Sequence, residues 1–373
     1  MPGKKAQALM KVLHIITRMN TGGPAVFLDH LTNAMKDLDT QSTIAFGYCE
    51  SNETDYTKSH KLNADLISIN SLHRSLNPYH DLKSFFKIRK IIKLAEPDLV
   101  NTHTSKAGVL GRLAAKSVNK KLPVVHTFHG HLIYGYFAKY KTILFTLIER
   151  FLARFTNAAV SITTETQNSL QNLKIGRSLR WQVIHLGIPT DKKSLSPTRS
   201  DEKVKLLWVG RFTDIKDPFY AVAVIRNLDQ IAPSKFELTM VGGGELLPAV
   251  KSKSEGLPIK FTGWLDQPFK SSEDFDLLLL TSKNEGMGLV ILEAANFSKA
   301  TVAKNVGGVG EFIVEGVNGL LINGEAKIMA EKINSLSKET IMQLGQSAYE
   351  TLVDSFTDKV MAKNYYNLYK SLI

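Results

Sequence analysis

Along the chain two hydrophobic patterns take turns. Short continuous apolar runs suit strands buried on both faces. Stretches with apolar residues three and four apart suit helices. Lys11–Thr17 (KVLHIIT) is the first predicted strand. It runs into Asn20-Thr21-Gly22-Gly23, and Pro24 then opens a helix at the first-turn position proline favours. Strands are predicted at Thr43–Phe46, Asp98–Thr102, Pro123–Phe128 and Ala158–Thr163, and helices at Asp81–Ala95, Lys106–Val118 and Thr166–Leu173. The polar stretch DKKSLSPTRSDEK, residues 191–203, breaks the rhythm and reads as a linker. A second series follows, with strands at Val204–Gly210, Phe236–Val241, Ile259–Thr262, Phe275–Thr281, Thr301–Ala303 and Gly319–Ile322. Residues 341–373 read as long helix. This β-α alternation predicts an α/β fold of two Rossmann-like halves in tandem, each a parallel sheet covered on both faces. Ligands of such sheets bind beyond the carboxyl ends of the strands.

Composition narrows the class. The chain has 373 residues, 43% apolar and 22% charged, an ordinary globular balance that excludes collagenous, coiled-coil and disordered chains. The net charge is +12, and its distribution is uneven. Residues 1–190 hold 25 Lys and Arg against 12 Asp and Glu, and residues 191–373 hold 22 against 23. The first half therefore expects an acidic partner. The lone Cys49 excludes an intramolecular disulfide and a thiolate zinc site. MPGKKAQALM lacks the apolar core of a signal peptide, so a cytoplasmic location is expected.

The candidate chemistry falls after predicted strands. In EGMGLVILE, Glu285 sits in a loop and Glu293 in the helix that follows. Eight helical positions separate their backbones by up to roughly 12 Å. That is too far for the roughly 5–5.5 Å carboxylate pair of a retaining glycosidase, and it suits two grips on one long ligand. Gly286 and Gly288 leave backbone N–H groups open beside a helix N-terminus, where phosphate binds well. A capping Glu and a surface Glu are the bland alternative. In VGRFTDIKDP, Arg211 leaves a strand end and Lys216 precedes a helix with Asp217 as expected N-cap. The pair suits a diphosphate clamp, against the alternative of two solvated charges. Gly242-Gly243-Gly244 reads by itself as a tight turn.

Together EGMGLVILEA, VGRFTDIKDP and GGVGEFIVEGVNGLLI resemble the C-terminal half of retaining nucleotide-sugar glycosyltransferases of family 4, with the GT-B fold. ITRMNTGGPAVF, NTHTSKAGVLGRLAA and HTFHGHLIYGYF resemble the N-terminal half of bacterial members that build cell-surface polysaccharides. The resemblance implies two facing Rossmann-like domains with a cleft between them. Residues 1–190 would be an acceptor-binding domain, 204–345 a nucleotide-sugar domain, and 346–373 a C-terminal helix packing back on the first domain. It further implies that Glu293 binds the ribose hydroxyls, Glu285 the donor sugar, and Arg211 and Lys216 the diphosphate. Gly22 and Gly23 would let the first loop approach the diphosphate and acceptor. Backbone groups of Gly286, Met287, Gly288 and Leu289 would touch sugar and phosphate. His129 would sit by the anomeric carbon, and Gly263 and Trp264 near the nucleobase. The reaction implied is transfer with retention, by a front-face route in which the leaving phosphate helps deprotonate the acceptor. The donor is expected to be a UDP-sugar and the acceptor a lipid-linked saccharide. No cofactor or metal is expected, because cations and a helix dipole do that work. Three departures touch donor contacts. Gly242-Gly243-Gly244-Glu245 stands for the usual Gly-Asp-Gly-Pro, Pro189-Thr190 for an expected Asp, and Lys283-Asn284 with Met287 for the usual aromatic or proline and phenylalanine.

His103, Lys106 and His131 are acceptor-side candidates at other strand ends. His126, His129 and His131 are expected on one face of a strand end, His126 as a buried structural residue. Asp37-Leu38-Asp39 and Asp274-Phe275-Asp276 read as structural rather than metal-binding. Helix Asp81–Ala95 and the segment Tyr134–Phe155 mix aromatic and aliphatic residues with Lys and Arg, as helices lying on anionic lipid do. That adds a peripheral place on the inner face of the plasma membrane to the expected location. The alternatives are a sugar-nucleotide 2-epimerase of the same fold, which would need no acceptor, and a non-catalytic nucleotide-sugar binder. Charge alone suggests nucleic acid, but no basic-aromatic module of that kind is present.

Overall fold

The structure is a computed structural model that describes residues 9–50, 53–130, 139–190, 203–265, 267–271 and 275–373. The chain divides into two compact units. Of the described residues, the first takes in 9–130, 139–189 and 357–373, and the second those from 190 to 356. The expected linker at 191–203 lies outside the described residues apart from Lys203.

The first unit is built on a seven-stranded parallel sheet. Its strands are β1 (Met10–Ile16), β2 (Thr40–Gly47), β3 (Asp65–Ile69), β4 (Leu99–His103), β5 (Val124–Phe128), β6 (Ala158–Ser161) and β7 (Arg180–Val183). They lie in the order β3-β2-β1-β4-β5-β6-β7. The switch in winding direction falls between β1 and β4, where Ile16 pairs with His103. The second unit holds a six-stranded parallel sheet of β8 (Val204–Val209), β9 (Phe236–Val241), β10 (Ile259–Gly263), β11 (Leu277–Leu280), β12 (Ala300–Lys304) and β13 (Gly319–Ile322). Its order is β10-β9-β8-β11-β12-β13, so its switch point lies between β8 and β11. These are two Rossmann-like domains of the kind that the β-α alternation predicts.

Period-two alternation explains why the strands are apolar throughout. Leu206, Trp208, Leu277 and Leu279 join one buried cluster, while Leu207 and Leu278 join another. Each of these central strands thus feeds two cores and has no solvent face. β3 and β7 are not among the predicted strands, because exposed polar and charged positions interrupt their apolar residues. Arg180 in β7 and Asp65 and Leu66 in β3 are exposed, so neither carries an apolar run.

The helical end differs from the expectation. The segment is two helices, and the return to the first unit begins at Thr357, not at 346. Lys338–Ser355 stays with the second unit. Thr357 caps Asp358–Lys370 by accepting from Val360 N at 3.2 Å. That last helix docks through two buried tyrosines. Asn101 Nδ2 donates to Tyr369 Oη at 2.6 Å, and the Tyr365 hydroxyl lies 3.3 Å from Thr127 Oγ1. The Tyr365 ring also meets Phe27 edge-on at 5.7 Å.

Candidate functional site

In the second unit the predicted residues gather at the carboxyl ends of the strands. After β8 the chain makes a turn, Asp214–Lys216, before helix Pro218–Ile231. Buried Trp208 Nε1 donates to Thr281 Oγ1 at 2.9 Å, and Thr281 Oγ1 donates to the Lys216 carbonyl at 2.9 Å. The end of β11 thereby holds the turn that carries Lys216. The Lys216 ammonium forms an ion pair with Glu285, Nζ to Oε2 at 2.6 Å, with side-chain exposures of 28% and 14%. Lysine and carboxylate are 69 positions apart in sequence, and the topology joins them.

Backbone contacts fix the Glu285 loop. Gly308 N donates to Gly286 O at 2.7 Å and to Glu285 O at 3.2 Å. A Cβ on Gly307 would stand 1.8 Å from Glu285 O, so only glycine fits. Gly288 takes φ +80° at the N-cap of helix Leu289–Asn296. The Met287 side chain is fully buried, so only its backbone can face a ligand. Glu293 projects from the same helix, and desolvation pushes its carboxyl up to about 7.

Arg211 is exposed at the start of the turn that carries Lys216, and joins no ion pair among the described residues. Asp217 occupies the N-cap at φ 48° but makes no side-chain cap bond; its carboxylate faces Lys304 Nζ at 3.4 Å. The glycine triplet is a close approach of two strand ends, since a Cβ on Gly242 would meet Gly210 O at 1.9 Å. Gly243 lies under the indole of Trp264, which is 63% exposed. Gly263, at φ +74°, turns the chain into that tryptophan.

In the first unit β1 leads to Gly22 and Gly23, and helix Gly23–Met35 starts there. Gly22 is extended (φ 166°), and a Cβ on Gly23 would meet nothing within 4 Å. Neither the backbone nor the packing requires glycine at these two positions. His129 is half-buried beyond β5, 3.0 Å from buried His103 (Nε2 to Nδ1), and packs edge-on against Phe27 at 4.8 Å.

Two of the three acceptor-side expectations change. His103 is fully buried and reaches a ligand only through a neighbour. Lys106 is held by Asp81 Oδ1 at 2.5 Å and by the Ser75 carbonyl, so it is not a free cation. His131 lies outside the described residues, as does Asp274. His126 and His129 do not share a face: β5 ends at Phe128, and His129 lies past the strand. His126 bonds Thr102 Oγ1 at 2.8 Å and abuts Gly108 of helix Ser105–Val118, while His129 faces Phe27. A further residue, His14 of β1, lies 3.2 Å from His103 (Nδ1 to Nε2). Its signal was a lone histidine inside an apolar strand. Among the described residues no group of three or more His, Cys, Asp or Glu is placed to hold a metal ion.

Residues 21–192 match the family described as Glycosyltransferase Family 4, and residues 203–339 match Glycosyl transferases group 1. The chain is a glycosyltransferase, with a family 4 domain in its first half. Among the relatives of this glycosyltransferase is an Escherichia coli UDP-Gal:alpha-D-GlcNAc-diphosphoundecaprenol alpha-1,3-galactosyltransferase, 28% identical over 72% of this chain and 73% of that one. The Escherichia coli O-antigen biosynthesis glycosyltransferase WbnH is 25% identical over 96% of this chain and 98% of its own. Among solved structures, HepE of Anabaena in complex with UDP superposes with a TM-score of 0.79 at 20% identity, covering 97% of this chain and 100% of that one. That likeness establishes the GT-B fold.

Proposed function

We propose that this glycosyltransferase moves a sugar from a UDP-sugar to a hydroxyl of a lipid-linked saccharide, with retention, in the synthesis of a bacterial surface polysaccharide. The observation that carries the reading is the Lys216–Glu285 pair at the strand ends of the second sheet, with Glu293 on the helix that follows the Glu285 loop. A diphosphate would take Lys216, and a sugar hydroxyl would donate to Glu285, each replacing the partner that residue has here. Arg211 adds a second cation, and the N-terminus of helix Leu289–Asn296 a third positive end. This charge set stabilises a departing diphosphate without calling on a metal. Glu293 would accept from the ribose hydroxyls, and the exposed Trp264 offers a face to the nucleobase. In the first unit Gly22 and Gly23 leave room for a ligand rather than for the chain itself. The names of the relatives support the donor and acceptor classes. The deciding experiment is a panel of UDP-, GDP- and ADP-sugars, read by thermal shift and by transfer to an undecaprenyl-diphosphate saccharide. Stabilisation and transfer confined to UDP-sugars are expected. Free epimerised sugar nucleotide formed without acceptor, or binding without turnover, would overturn the reading.

We further propose that the first unit meets anionic lipid. Helix Lys139–Leu152 exposes Ile143, Leu144, Leu147 and Phe151. These residues form one stripe flanked by exposed Arg150. On helix Pro78–Ala95, Ile88, Ile91 and Ile92 pack inward, while Leu82 and Phe86 are exposed beside Lys83, Lys87 and Lys90. Among the described residues no helix is long and apolar enough to cross a membrane. The protein should co-sediment with phosphatidylglycerol vesicles but not with phosphatidylcholine vesicles, and salt should weaken it. Equal sedimentation with both, or none with either, would argue against a lipid surface.

A further inference from the structure

In the first unit three imidazoles form a hydrogen-bonded chain from the interior to the surface. His14 Nδ1 lies 3.2 Å from His103 Nε2, and His103 Nδ1 lies 3.0 Å from His129 Nε2. His14 and His103 are both at 0% exposure, and His129 is partly exposed. The chain is cased by Phe27, whose ring meets His103 at 5.9 Å and His129 at 4.8 Å.

Proton counting orients the chain. Burial holds His14 and His129 near 3 and His103 well below the usual histidine value, so all three rings are neutral at pH 7. A neutral imidazole has one N–H and one acceptor nitrogen. The inner end decides between the two directions the bonds can run. His14 Nε2 is buried and has no hydrogen-bond partner. A proton there would be an orphaned buried donor, the rarer and costlier defect. The proton of His14 therefore sits on Nδ1 and is donated to His103 Nε2. His103 must then carry its own proton on Nδ1, and donates it to His129 Nε2. That leaves the proton of His129 on Nδ1, an atom with no protein partner among the described residues.

We propose that His14 and His103 are positioning residues that fix the tautomer of His129, so that its accessible edge presents an N–H donor to an oxygen of the bound sugar nucleotide. The opposite tautomer would present a lone pair, which repels a phosphate oxygen and could only accept from a sugar hydroxyl. Glycosyl transfer leaves oxygens more negative as the bond to the diphosphate breaks, so a donor N–H gains strength where a lone pair would lose it. The inference rests on the reading of His129 as a ligand contact, but its first test does not require turnover.

The test is long-range ¹H–¹⁵N spectroscopy of the ligand-free protein labelled in histidine, at pH 7, with signals assigned from single variants. His14, His103 and His129 should all be Nδ1–H tautomers. A His129 protonated on Nε2 or on both nitrogens overturns the inference, whatever the enzyme transfers. His103→Asn keeps an amide donor where Nδ1 stands, and should preserve both the His129 tautomer and kcat. His103→Leu removes the donor; it should let His129 populate the other tautomer and lower kcat roughly tenfold, the worth of one hydrogen bond. Equal losses in both variants with the His129 tautomer intact would show a merely structural role and overturn the proposal. Should His103→Leu fail to fold, His14→Phe takes its place, with the same shift in His129 expected. UDP alone and a UDP-sugar then separate a phosphate oxygen from a sugar oxygen as the group that moves the His129 Nδ1 signal; no shift with either overturns the contact.

Discussion

Lys216→Ala should lower kcat by about 10²–10³, the loss seen when one preorganised donor to a developing negative charge is removed. The size follows from how firmly the ammonium is held. Its turn is tied to β11 through Thr281, and its charge is only partly exposed, where water screens little. The loss should fall on kcat more than on KM, because the diphosphate gains charge as it departs. Lys216→Arg keeps the charge and should recover part of the rate. Lys283 supplies the contrast: its pair with Asp214 at 2.5 Å is exposed at 45% and 85%, and Lys283→Ala should leave turnover and stability near wild type. Steady-state kinetics of the three variants decides, and unchanged turnover in Lys216→Ala would remove this residue from the mechanism.

Glu293→Gln should give a more stable protein and a poorer enzyme. Desolvation raises the folded carboxyl from 4.5 to about 7. The folded state therefore holds this proton more tightly than the unfolded chain does. Below pH 4.5 both states are protonated and the site costs nothing. As pH rises toward 7 the unfolded chain ionises first, and stability falls. Glutamine carries no charge at any pH. The gain should be absent at pH 4, should grow between the two values, and should reach on the order of 2 kcal/mol at pH 8 after allowing for the accessible edge. Thermal melts at the two pH values measure it; a gain of equal size at pH 4 would show that the carboxyl does not ionise as described. The same substitution weakens acceptance from ribose hydroxyls, and KM for the donor should rise about tenfold. A carboxylate kept where it lowers stability is what a binding role demands.

The central strands were legible because a parallel sheet covered on both faces needs uninterrupted apolar residues, as in Leu277–Leu280. β3 and β7 were not, since exposed residues such as Asp65 and Arg180 break the apolar run that marks a strand. The site at the second sheet was legible for a different reason: it lies on loops that follow strands, where Glu285, Lys216 and the glycines stand close to their strand ends in sequence. Relations across the sheet were hidden. Nothing near Lys106 announces Asp81 as its partner, and nothing near His103 announces His14. The resemblance assigns only the Met287 backbone to the ligand, and packing adds that its side chain is an anchor. The strand end was hidden as well: β5 stops at Phe128, so alternation does not set the direction of His129.

The last helix has a consequence for how the protein is made. Synthesis runs from the N-terminus, and domains ordinarily fold as they emerge. Here the first sheet emerges early, but the tyrosines that cover it at Asn101, Thr127 and Phe27 belong to Asp358–Lys370. All of residues 190–356 are translated in between. The second unit can close while the ribosome is still at work, and the unit begun first is finished last. Its uncovered face is therefore a site for chaperone holding during translation, and a stall before residue 358 would release a chain with one complete unit and one open sheet.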